Sequence, residues 1–315
     1  MKRPVIISLT LLLIGGLGLT ANCGSGNRQP APRVQSTPIA APTAQKTKTV
    51  DYKGVSFTFD TSLAREVKSE TIPASLEGKP SDILPEHPGF TLVGYPRPRS
   101  MSEVDPEIRV FSIAEFRKAM HHASQEMAKS ETSRRTEDWG SDVDAQVRIL
   151  KTLIAKRPNV KDLGTVLQAV GDEIPQMPFL PEWEASQAFV GHVKYVNFKN
   201  GKGVFFLTQW DVSETSQVTN QGLEYAFQGI TDDGQYYVYA EFSVAAPTLP
   251  KGDEPDVVAW NEKNYRLSHK SKEYQDYLRP VFEKLEALPA DKFQPNLELL
   301  EQLIGSLEVK TGKQN

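Results

Sequence analysis

One cysteine, Cys23, occurs in 315 residues. Disulfides within the chain are therefore excluded, and so are thiolate zinc sites that need several sulfur ligands. Long apolar runs are also missing. The segment from Val5 to Leu19 is the greasiest in the chain, and it falls short of the roughly twenty residues that span a bilayer. Positive charge is not in excess, with 36 basic against 40 acidic residues, which argues against nucleic acid as a partner. No Gly-x-Ser-x-Gly elbow, phosphate-cradling glycine loop or dinucleotide fingerprint occurs.

What is present begins at the N-terminus. Lys2 and Arg3 precede the apolar segment, and Cys23 follows it, which is the order of an export signal. The residues Leu19-Thr20-Ala21-Asn22-Cys23 resemble the lipobox of bacterial lipoproteins, although Asn22 and Thr20 depart from its usual pattern. The resemblance implies that residues 1–22 are a signal peptide and that Cys23 is acylated. It also implies that the protein sits outside the cytoplasm, on the cell membrane or outer membrane. One acyl chain holds a protein only marginally, and the diacylglycerol of the lipoprotein pathway meets the need for two. The residues alone leave open an uncleaved anchor and a secreted protein cut further on.

Residues 23–49 are rich in Pro, Thr, Ala, Gln and Ser. Such a segment buries too little apolar surface to offset its ordering entropy, so it reads as a disordered tether, with a reach of roughly 28 Å. It carries Arg28, Arg33, Lys46 and Lys48 and no acid. Without the signal the chain has 34 basic and 40 acidic residues, and beyond the tether 30 and 40, a net charge of −10. A basic tether under an acidic domain suits an anionic lipid surface, at about 1 kcal/mol per charge, and equally serves solubility.

Residues 50–315 read as a single α+β domain: a central antiparallel sheet backed by helices, with a helical insertion at about 112–170 and a C-terminal helix. Val55, Phe57 and Phe59 alternate with polar neighbours over residues 52–59, as in a half-buried strand. Residues 90–95 and 107–111 read as further strands. Ser112 and Glu115 form a capping box ahead of Ile113, Phe116, Met120 and Ala123 at helical spacing. Helices follow at about 142–156 and 161–170, and later at 272–288 and from Asn296.

Two hairpins give the strongest local signals. Asp233-Gly234 is a preferred two-residue turn, which sets Ile230 against Tyr237, Gln228 against Tyr239 and Tyr225 against Phe242. One surface then collects Glu224, Gln228, Tyr237, Tyr239 and Glu241. A turn at Asn200-Gly201 pairs Tyr195 with Phe206 and Val196 with Phe205. Both sides of that hairpin are apolar, so it belongs inside a covered sheet, with helices on one face and the loops at 73–88 and 246–265 near the other.

Three stretches carry a family likeness: Pro85-Glu86-His87 with Phe90 and Tyr95-Pro96; Phe179-Leu180-Pro181 through Phe206-Leu207-Thr208-Gln209; and Phe227-Gln228-Gly229-Ile230-Thr231 through Gly234-Gln235-Tyr236-Tyr237. They are similar to a group of uncharacterised bacterial secreted proteins and lipoproteins, over most of residues 50–250. That resemblance implies location and domain extent, not chemistry. The loop Val218-Thr219-Asn220-Gln221 departs from the group's usual Pro-Ile-Asn-Asn. Element order also resembles the PsbP-type fold, whose members are mostly accessory or assembly proteins without catalysis, though fold does not dictate function.

Candidate chemistry is sparse. His122 and Glu126 lie four apart on a helix beside His121, but two ligands do not make a metal site, and the helix lacks a His-Glu-x-x-His arrangement. Asp232-Asp233-Gly234 reads as a turn, not a calcium loop. Glu86-His87, between prolines, offers an acid–base pair on a loop, the basis of an alternative reading as a cell-surface hydrolase. The favoured candidate is a recognition surface of Tyr237 and Tyr239 flanked by Glu224, Gln228 and Glu241, with Trp210 at its edge; it combines flat apolar area with polar groups. The expectation is a non-catalytic, lipid-anchored module with no metal and no cofactor. Its partner would be an envelope protein, a glycan or a small molecule.

Overall fold

The computed structural model describes residues 47–96, 105–129, 139–170, 176–181, 185–211, 215–268 and 270–310. Cys23, the signal segment and most of the stretch read as a tether lie outside them. Among the described residues the strands are β1 (Thr47–Tyr52), β2 (Val55–Asp60), β3 (Glu66–Ile72), β4 (His87–Val93), β5 (Glu107–Ser112) and β6 (Ser186–Gln187). Then follow β7 (Gly191–Phe198), β8 (Gly201–Thr208), β9 (Trp210–Asp211), β10 (Glu224–Thr231), β11 (Tyr236–Ser243) and β12 (Glu308–Val309). The helices are α1 (Ile113–Ala128), α2 (Trp139–Lys156), α3 (Val160–Val170), α4 (Pro255–Asn264), α5 (Lys272–Glu286) and α6 (Leu297–Gly305). The fold is α+β, built on a seven-stranded antiparallel sheet in the order β3-β4-β5-β11-β10-β8-β7.

Both faces of this sheet are covered. On one, Phe111, Val204, Phe206, Ala226, Ile230 and Tyr237 meet the apolar stripes of α1, α2 and α3. On the other, Phe90, Val110, Phe205, Phe227 and Phe242 pack with β2, α5 and α6. Helices therefore back both faces, and not one face alone: the Tyr274, Leu278 and Leu285 stripe of α5 buries against the side expected to meet loops. A three-stranded sheet β1-β2-β12 lies on that side. Its first strand begins at Thr47, inside the stretch read as tether, and turns through Lys53 (φ +50°) and Gly54 into β2. α4 lies within residues 246–265, expected as a loop, and β3 is a strand in a stretch without a sequence-based expectation.

The β10–β11 hairpin has the expected register, with Ile230 opposite Tyr237 and Gln228 opposite Tyr239. Its neighbour does not. β7 and β8 turn at Lys199-Asn200, so Tyr195 faces Val204 and Val196 faces Gly203. Gly201 is a strand residue because the Phe198 ring lies where its side chain would be, 2.0 Å from an ideal Cβ. Asn200 instead extends pairing to β12, donating from Nδ2 to the Val309 carbonyl at 2.6 Å and accepting its N–H at 3.0 Å. A slip of two partners preserves side-chain alternation, so the faces stay as expected. Ser112 caps α1, accepting the Glu115 N–H at 3.3 Å.

Candidate functional site

Gln228 and Tyr237 stand on the sheet face that receives α1 and α2. Both are fully buried, and the Tyr237 hydroxyl donates to Gln228 Oε1. Tyr239 is buried beside them, its ring 5.4 Å from that of Phe179 and 6.0 Å from the Arg109 guanidinium. The expected exposed tyrosine surface is thus corrected. The insertion after β5 folds back as a helical layer, and Met177, Phe179 and Leu180 complete the cover. Residues 246–265 do not supply it.

Glu224, Glu241 and Trp210 lie further along the same face, half-buried. Glu241 accepts from the Trp210 indole N–H at 2.5 Å and from the Tyr239 hydroxyl at 2.9 Å. Glu224 accepts from the Ser243 hydroxyl at 3.0 Å. Burial pushes both carboxyls above the usual range. The Glu241 charge raises Glu224 further, whereas Trp210, Tyr239 and Arg109 oppose the rise at Glu241. Two aimed donors make Glu241 the better seat for a single negative charge, leaving Glu224 as the proton carrier. Arg109 is itself paired with Glu107 at 2.7 Å. The six residues of the sequence reading share one sheet face, in three hydrogen-bonded sets: Tyr237 with Gln228, Tyr239 and Trp210 with Glu241, and Glu224 with Ser243.

His87 and Glu86 are not brought together. His87 is buried against Phe111, with ring centroids 4.4 Å apart, and its Nδ1 lies 2.7 Å from the Pro85 carbonyl. That contact assigns the proton to Nδ1. Burial lowers its pKa, so the ring stays neutral, while Glu86 is exposed. His121, His122 and Glu126 are exposed on α1; Glu126 pairs with Lys129 at 2.6 Å. Among the described residues, no group of three or more histidines and carboxylates could hold a metal ion. Asp233 belongs to the hairpin turn, accepting the Thr231 hydroxyl at 2.6 Å and the Gln235 N–H at 3.0 Å.

A cavity of about 570 Å³ opens instead at the sheet edge, between β7, the start of α3 and the ends of α5 and α6. Its polar lining includes Lys161, His192, Lys194, Tyr225, Glu286 and Glu301. A bulge in β7 between Gly191 and Lys194 shapes the edge. There His192 takes φ +46°, its backbone N–H donates to Glu286, and its Nε2 lies 2.7 Å from the Leu285 carbonyl. Gly191 leaves room for that carboxylate, which would stand 2.9 Å from an added Cβ. Deeper in, the Glu301 side chain is 12% exposed and pairs with Lys194. It also accepts the Tyr225 hydroxyl at 3.0 Å. Burial, and then the Glu301 charge, raise the Tyr225 phenol well above its ordinary value, so it remains a donor. Sequence reasoning missed this site because five separate elements, α3, β7, β10, α5 and α6, build it. Its one local signal is the pair of polar residues His192 and Lys194 on one side of a strand whose next residues on that side, Val196 and Phe198, are apolar.

Comparison with protein-family models, curated proteins and solved structures finds no significant match to the chain.

Proposed function

We propose that the chain is a lipid-anchored, extracytoplasmic bacterial protein with no catalytic role, and that it captures its ligand in the cleft beside β7. Support for the anchor comes from the N-terminal sequence, where a charged start and an apolar segment lead to the only cysteine. Its likeness to bacterial secreted proteins and lipoproteins agrees with that location. Support for binding comes from one observation: a cavity of about 570 Å³ whose lining residues Lys194, Glu286 and Glu301 are held by hydrogen bonds. Small-molecule sites are concave, largely preformed and of this size, which favours a small ligand over a protein or glycan surface. Among the described residues no helix is long and apolar enough to cross a membrane; the proposed anchor is Cys23. Metabolic labelling with palmitate tests this half. The wild-type chain should incorporate label and fractionate with membranes, and Cys23→Ala should lose both. Cys23→Ala remaining membrane-bound would remove the lipid anchor from the reading. For the binding half, wild-type protein and Lys161→Ala would be incubated with envelope extract and their bound small molecules compared by mass spectrometry. Identical profiles would retire the cleft.

A further inference from the structure

Charges of both signs line the β7 cleft, and they come from different elements. α3 supplies Lys161, β7 supplies Lys194, and α5 and α6 supply Glu286 and Glu301. The inner pair is already spent: one Glu301 oxygen takes Lys194 and the other takes Tyr225. The outer pair is not. Lys161 is exposed and makes no ion pair among the described residues. One Glu286 oxygen accepts the His192 N–H; the other has no hydrogen bond among the described residues.

Two choices at this cleft run against local stability. Glu286 is the last residue of α5, where a carboxylate meets the negative end of the helix dipole. His192 holds a left-handed backbone that a residue with a Cβ adopts only at a cost. Left-handed residues with a Cβ also occur at Lys53 and Arg157, but Ser112, Ser271 and Asn296 cap their helices in the ordinary way, and at the cleft the two departures fall on residues bonded to each other. Departures of this kind concentrate at binding sites.

We propose that the cleft binds a small zwitterion, with its amine against Glu286 and its carboxylate against Lys161. This rests on the ligand-binding reading above and narrows it. A neutral polyol would offer neither outer charge an opposite partner, and a ligand of one sign would pair with only one of them. The volume suits a molecule the size of a dipeptide.

Four probes separate these classes: glycylglycine, N-acetylglycylglycine without the cation, glycylglycinamide without the anion, and glucose. Binding to the full chain in detergent would be measured by calorimetry and by amide NMR shifts at His192 and Lys194. Glycylglycine should saturate and move those amides, and each blocked peptide should bind about tenfold more weakly or worse. Lys161→Ala should weaken glycylglycine by a similar factor but leave glycylglycinamide unchanged. Glu286→Gln, which keeps the shape and a bond to His192, should weaken glycylglycine but not N-acetylglycylglycine. Blocked peptides binding as well as glycylglycine, or glucose binding alone, would overturn the proposal. If none of the probes binds while wild type and Lys161→Ala still differ in what they take from envelope extract, the zwitterion is wrong and the binding module stands. If they do not differ, both fall.

Discussion

The inward face of β10 and β11 and the outer edge of β7 both gather titratable side chains, but different things lie over them. Tyr237 and Gln228 are roofed by α1 and α2, so their hydroxyl and amide serve each other. At β7 the cavity of about 570 Å³ lies among residues of α3, α5 and α6, and Lys161 and Glu286 line it. A run of tyrosines and carboxylates with strict alternation therefore describes a face, not a surface. Whether it meets solvent depends on where the rest of the chain packs. In the sealed region Tyr237 is paired with Gln228 Oε1, although Gln228 Nε2 is left without a partner among the described residues, and truncating these side chains should register as lost stability. In the open region a comparable truncation should register mainly in binding.

The largest effect that sharpens this contrast is at Tyr237. With its side chain fully buried, Tyr237→Ala should cost about 3–5 kcal/mol from lost packing and the residual cavity. Denaturant unfolding would measure it. A cost under about 0.5 kcal/mol is what exposed positions give, and it would mean that the helical layer does not close on this face. Next in size is Trp210→Phe, which removes one of two donors to Glu241. It should destabilise by about 1–3 kcal/mol at neutral pH, the scale of a buried acceptor left short of a partner. An unchanged midpoint would show that Glu241 is not relying on the indole.

Glu224 provides a pH signature. Its folded-state pKa is raised above the ordinary value of 4.5, chiefly by burial and then by the Glu241 charge. A carboxyl raised on folding stabilises most below its unfolded value and loses that contribution as pH rises through the folded one. Wild-type stability should therefore decline with pH above 4.5 over the window where Glu224 ionises. Glu224→Gln, uncharged throughout, should flatten that decline. Equal slopes in the two proteins would place the charge elsewhere in the network.

Local chemistry made much of the fold legible. The Asp233-Gly234 turn and the alternation beside it fixed the β10–β11 register, and Ser112 marked the start of α1. Failures came where a distant part of the chain decided the outcome. Asn200-Gly201 has the composition of a turn, but Phe198 occupies the space over Gly201 and β12 claims the Asn200 amide, moving the turn back one residue. The tyrosine face was identified residue by residue, yet its cover depends on α1, α2 and Phe179, whose docking is not encoded beside those tyrosines. The β7 cleft was invisible for the same reason, since Lys161, His192, Glu286 and Glu301 converge only in three dimensions.

The smallest effect bears on the open region and isolates backbone from side chain. His192 at φ +46° makes two kinds of contact, a T-shaped approach to Phe293 at 5.1 Å and the Nε2 bond to Leu285. Replacing it by alanine loses both contacts and keeps the left-handed strain. Replacing it by glycine loses the same contacts and relieves that strain. Their difference therefore reports the backbone alone, and His192→Gly should be more stable than His192→Ala by about 1 kcal/mol. The greater freedom of glycine in the unfolded chain works against this margin, so a value near 1 is a conservative sign of strain. If alanine equals or exceeds glycine in thermal unfolding, the bulge is relaxed, and the cleft owes its shape to the packing of α5 rather than to a strained edge of β7.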